Sequence, residues 1–326
     1  MSATTSGTYT WNLTAQQIIF GALRLLSAIE SGEIPPDNEY EDALSAMNGL
    51  IKQWQGAGIH LWTEEDCTLF LQPGQAQYSL GVGSPDHACL TAGLLMTSLA
   101  TTAVAGATSV TLASVAGIGA GAQVGVWLDA GTIFWTTASV APIGSSVPLT
   151  AALPSQATSG AYVASYGAPL VRPLRVPAGR LVFLAPQQAG LIEVPLMPMS
   201  RLYYASVPDK YVPGTVTQYF FDPQLGFAAM NVWPSPSDTM ACLRFTAQMP
   251  LQDVGSSANI AGLPQEWIAC LRFNLAKELA LEYDCPAPRL QAIVAMAAEK
   301  LTMMSAWDRE PESVRFGVAG YPQQRN

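Results

Sequence analysis

The sequence predicts an α+β fold: a helical core formed by an N-terminal helical hairpin and C-terminal helices, with antiparallel β-sandwich or barrel-like domains inserted between them. Three observations carry that reading. Apolar residues recur at helical spacing near both ends of the chain. Between them the period changes to two, with glycine- and proline-marked turns about every ten residues. Only 12% of the 326 residues are charged, where about 25% is usual, and 49% are hydrophobic. With a mean hydropathy of +0.22, the chain calls for large buried surfaces, and subunit interfaces are the natural place to find them.

Residues 10–60 read as the helical hairpin. In "TAQQIIFGALRLLSA", Thr14 can cap a helix whose Ile18, Ala22, Leu25 and Leu26 share a face, and Gly32 is expected to stop it. After "EIPPD", Asp37 is expected to cap a second helix, with Tyr40, Leu44, Met47, Ile51 and Trp54 on one stripe and Gly56 or Gly58 at its end. Residues 61–84 read as a β-hairpin connection around Pro73-Gly74. Residues 85–170 form a small-residue β module with strands such as "SVTLASV", "AQVGVWL" and "TIFWTTASV", and 171–260 a second β region. Helices return at 263–306. Pro264 is placed at a first helical position, Trp267, Leu271, Leu275, Leu279 and Tyr283 recur every four residues, and Pro286 separates a last helix. Residues 307–326 lack periodicity and read as an extended tail.

Charge is unevenly spread. Glu30, Glu33, Asp37, Glu39, Glu41, Asp42, Glu64, Glu65 and Asp66 face only Arg24 and Lys52 in the first part of the chain, which is net −9 overall. Between residues 88 and 171 Asp129 is the single charge, and then Arg172, Arg175, Arg180, Arg201 and Lys210 outnumber Glu193 and Asp209. No basic face of the kind that binds nucleic acid is evident. No apolar run reaches the length of a membrane span, and the start lacks the pattern of a signal peptide. The five cysteines are odd in number and widely spaced, which reads as reduced thiols. With His60 and His87 as the only histidines, no metal constellation is expected.

Two stretches invite a chemical reading. Gly117, Gly119 and Ala122 match the spacing of a dinucleotide-binding loop, but the residues after them alternate as a strand rather than a helix, so no cofactor is expected. Glu64, Glu65 and Asp66 are the one carboxylate cluster that could run glycoside hydrolysis, although adjacent acids on a loop ordinarily face water. "SPDH", ending at His87, is more simply a turn. "RLYYASVPDKY" could stack on sugars or bases, but a β surface of core and rim explains it at less cost.

The opening "LTAQQIIFGALRLLSAIESGEIPPDNEYEDALSAMNGLIKQWQGAGIHLW", the run "MNVWPSPSDTMACLRFTAQMPLQDV" into "LPQEWIACLRFNLAKELALEYDCP", and the end "DREPESVRF" together resemble the head-to-tail adaptor (packaged-DNA stabilisation, or tail accessory) proteins of short-tailed bacteriophages. "AVAGATSVTLASVAGIGAGAQVGVWLDAGTIFWTTASV" is similar to a β module of longer phage relatives. The resemblance implies a virion structural protein rather than an enzyme, made in the host cytoplasm and placed at the head–tail junction. It implies a ring of about twelve identical subunits docked under the portal protein, extending and sealing the channel for double-stranded DNA and receiving the next tail (nozzle) component. Carried onto this chain, it makes Trp307, Arg309, Arg315, Phe316 and Tyr321 the candidate partner-binding anchors. Two alternatives stay open at this point: a peptidoglycan glycosidase activity at Glu64, Glu65 and Asp66, and another phage tail or fibre module, for which the β content argues.

Overall fold

The computed structural model describes residues 11–58, 63–184, 192–259 and 262–308. The fold is α+β, with five helices among those residues and a large, mostly antiparallel sheet nearly closed into a barrel. The helices are α1 (Ala15–Leu26), α2 (Asp37–Gly56), α3 (Arg201–Ser206), α4 (Trp267–Leu279) and α5 (Ala287–Trp307). The chain divides into two compact units at Trp62/Thr63 and Pro250/Leu251.

In the helical unit, Thr14 and Gln17 form a reciprocal capping box that starts α1. The helix ends at Leu26 because Ser27 takes the left-handed conformation (φ 63°), well before the expected stop at Gly32. Asp37 is likewise not a cap. Pro36 holds that position without a side-chain bond, and Asp37 and Glu39 lie in the first turn of α2, where carboxylates match the helix dipole. Pro264 precedes α4 and accepts the Trp267 N–H at 2.9 Å. Ile18, Leu23, Met47, Ile51, Trp54, Trp267, Leu271, Leu275 and Ile293 belong to one buried cluster. Each such aliphatic side chain contributes about 1.5–3 kcal/mol by leaving water. Helix α1 packs more extensively on α4 than on α2, its expected hairpin partner. Gly21 permits this: a Cβ there would lie 2.6 Å from Arg272 Cδ on α4. Asn274 on α4 donates to Cys270 O at 3.0 Å and across to Ala297 O on α5 at 3.3 Å.

Among the described residues the β unit holds sixteen strands. They are β1 (Glu64–Phe70), β2 (Gln77–Leu80), β3 (Ala88–Leu90), β4 (Leu94–Ser98), β5 (Ser109–Thr111), β6 (Gln123–Trp127), β7 (Ile133–Thr137) and β8 (Ser146–Pro148). After them come β9 (Tyr162–Tyr166), β10 (Arg175–Phe183), β11 (Ile192–Pro198), β12 (Pro213–Gly214), β13 (Gln218–Asp222), β14 (Ala228–Trp233), β15 (Ser235–Pro236) and β16 (Ala241–Gln248). The eight-stranded sheet runs β2-β14-β13-β11-β10-β16-β1-β3, with only β11 and β13 parallel. Cys67, Leu69, Tyr78, Tyr219, Met230, Leu243 and Phe245 fill its interior at the two-residue period of the strands.

The expected hairpin at 61–84 is not formed. The turn exists, with Gly74 at φ +73° and a Gln75 N–H to Gln72 O bond of 3.2 Å, but β1 pairs with β16 and β3 while β2 pairs with β14. The Pro73-Gly74 turn thus carries the chain from beside one edge of the sheet to the other edge. There the "SPDH" loop occupies the outer side of β2. Asp86 accepts the Ser79 N–H at 2.6 Å, and Ser84 Oγ donates to Ser79 O at 2.7 Å, satisfying backbone groups that an open edge would leave bare.

A smaller sheet, β4-β9-β6-β7, and the β5–β8 pair enclose a second core of Val110, Val124, Val126, Val147 and Val163. Through Trp127, Ile133, Ala164 and Tyr166 this module packs on Phe70, Val182 and Cys242 of the large sheet. The glycine string lies in turns, with Gly117 and Gly121 at φ +78° and +79°, and leads into strand β6 rather than a helix. Gly125 within β6 answers a packing need, since a Cβ there would meet the Trp135 ring at 2.7 Å.

Candidate functional site

Glu64, Glu65 and Asp66 lie on β1, not on a loop. Successive side chains of a strand alternate, so Glu65 points away from the face shared by Glu64 and Asp66. Asp66 accepts from Arg180 Nη2 at 2.7 Å and from Thr246 Oγ1 at 3.1 Å. Arg180 on β10 and Arg244 on β16 stand directly opposite each other, a repulsive register that Glu193 on β11 relieves, at 2.9 Å from Arg180 Nε and 2.8 Å from Arg244 Nη1. The arrangement is an ion-pair ladder across four strands. The Asp66 side chain is 48% exposed there, whereas a general acid needs an apolar cleft around its carboxyl.

His87 is more unusual than its sequence context suggested. Its ring stacks on Trp135 at 4.0 Å between centroids and 9° between planes, and its Nδ1 lies 2.9 Å from the Tyr166 hydroxyl. Phe70 closes on the same indole at 4.9 Å. Burial lowers the His87 pKa to about 4, so the ring is neutral near pH 7. Burial also pushes the Cys67 and Cys89 thiols up to about 12, and Cys242 and Cys270 up to about 11, which keeps them protonated and unreactive. None of the five cysteines forms a disulfide. Among the described residues no group of three or more histidine, cysteine or acidic side chains is placed to hold a metal.

"RLYYASVPDKY" begins as helix α3 rather than as a β surface, capped by Ser200 Oγ. Arg201 lies 5.5 Å over Phe220, Phe220 stacks on Tyr204 at 5.5 Å, and Lys210 sits 5.2 Å over Tyr204. Arg201 also pairs with Asp222. This ladder leaves Leu202, Tyr203 and Tyr211 pointing to solvent at 82%, 52% and 71% exposure. The sequence reads as a β surface of core and rim here because nothing local marks Tyr204 as the half-buried partner of Phe220 and Tyr203 as the exposed one.

Trp307 ends α5 in helical conformation, not in an extended tail, and is 55% exposed. On the same helix Val294, Met296 and Met303 are exposed, and of its 21 residues only Ile293 and Ala297 are fully buried. Arg309, Arg315, Phe316 and Tyr321 lie outside the described residues, as do His60 and Trp62. No described helix is long and apolar enough to cross a membrane. Neither the models of known protein families nor the curated proteins contain a match to this sequence.

Proposed function

We propose that the chain is a structural subunit of a head-to-tail adaptor ring in a tailed bacteriophage. The ring docks under the portal, extends and seals the DNA channel after packaging, and receives the next tail component. In this reading the helices at both ends form one core that carries the β unit as an insertion, and the tail with Trp307, Arg309, Arg315, Phe316 and Tyr321 anchors it to the portal or a neighbour. The observation that carries the proposal is α5, a long helix with apolar side chains on a second, uncovered face, in a chain of only 12% charged residues. Such surface calls for another protein. The acidic balance of −9 suits a wall along which DNA slides without phosphate contacts.

Co-sedimentation with portal rings of its phage tests the reading. The chain should travel with the rings in a fixed ratio, and Met303→Asp with Trp307→Asp should abolish this while leaving the unfolding midpoint unchanged. Absence of binding by the unaltered chain would refute it.

A further inference from the structure

The α3 patch has the makings of a docking knob. A six-residue helix cannot hold itself, so the Arg201–Phe220–Tyr204–Lys210 ladder is what fixes it. Leu202 and Tyr203 are therefore presented in one orientation, and little ordering cost remains for binding. Tyrosine and arginine are also the residue types that dominate contact energies between proteins.

The helical unit offers a socket of opposite character. A cavity of about 190 Å³ is lined by Gln16, Phe20, Ile34, Asp37, Tyr40 and other residues, with Ile34 75% exposed. The Tyr40 hydroxyl is buried without a hydrogen-bond partner among the described residues, a polar group that an entering side chain can satisfy. Glu30, Glu33, Asp37, Glu39, Glu41 and Asp42 surround this stretch, and no lysine or arginine falls between residues 25 and 51. The stretch around the knob is the reverse: between residues 171 and 215 Arg172, Arg175, Arg180, Arg201 and Lys210 outnumber Glu193 and Asp209, and with Arg180 paired to Asp66 and Glu193 and Arg201 to Asp222, it is Arg172, Arg175 and Lys210 that carry the excess.

We infer that the knob of one copy enters the socket of a second copy of this chain, with Leu202 and Tyr203 in the cavity and Lys210 facing the acids. The inference rests on the ring reading. The two surfaces differ, so the contact is heterologous, the type that propagates from subunit to subunit and closes into a ring.

Cross-linking between two full-length variants tests it, Ile34→Cys and Leu202→Cys, each also carrying Cys285→Ser and assayed alone and with portal rings. Both cysteines replace exposed side chains. A short bismaleimide should give a covalent dimer when the variants are mixed and none when either is treated alone. As a second readout, Lys210→Glu or Glu41→Lys should each weaken self-association at least about tenfold at low salt, and mixing the two should restore part of it. Rings that form without the mixed cross-link, and that tolerate both charge reversals, would overturn this contact and leave the ring reading standing. A chain that never assembles, with or without portal rings, would remove both.

Discussion

Acidification should loosen the β unit through His87. Its pKa is lowered from 6.5 to about 4 in the folded chain, so the folded state resists a proton that the unfolded state accepts. The stability this confers is fully present above pH 6.5 and is lost progressively as pH falls from there toward 4. The gap corresponds to about 3 kcal/mol at 1.36 kcal/mol per pKa unit, and partial exposure of the ring reduces the expected cost to about 2 kcal/mol. The chain has two histidines, so the imidazole carbon-bound proton signals in an NMR titration give two curves, and His87→Gln removes one of them. The assigned curve should have its midpoint near 4. Urea unfolding of the wild type should lose about 2 kcal/mol between pH 7 and pH 4.5 that His87→Gln does not lose. A His87 midpoint near 6.5, or identical pH dependence in the two proteins, would refute the account of the stacked, desolvated ring.

Gly125→Ala should cost about 1–3 kcal/mol in thermal unfolding, because the new methyl group displaces Trp135 and with it the His87 stack. Asn274→Ala should cost about 0.5–1.5 kcal/mol in chemical unfolding by removing the amide that ties α4 to Ala297 O on α5, a carbonyl that keeps its donor within the helix. Asp66→Asn should cost less than about 1 kcal/mol, since the Asp66 side chain is 48% exposed. Glu193→Gln should cost more than Asp66→Asn, because it leaves Arg180 and Arg244 facing each other, and unfolding midpoints of the two variants give the order. A peptidoglycan zymogram should show no clearing that depends on Glu64, Glu65 or Asp66.

The sequence made local features legible and left long-range pairing hidden. Thr14 as a cap, the four-residue apolar rhythm of α4 and the alternation of β6 are short-range patterns, and each element they mark is present. Pro73-Gly74 also marks a true turn, but which strand pairs with β1 depends on residues near 245, and no local signal encodes that choice. The same holds for the candidate sites. His87 meets Tyr166 across 79 positions, and Arg180 meets Asp66 across 114, so a turn-like "SPDH" and a catalytic-looking "TEED" gave no hint of an aromatic stack and an ion-pair ladder.

Native mass spectrometry of the purified chain, alone and mixed with portal rings, decides whether the chain assembles on a portal. A closed ring of about twelve copies should form on the portal. A stable trimer, or a chain that leaves the portal bare, would contradict it.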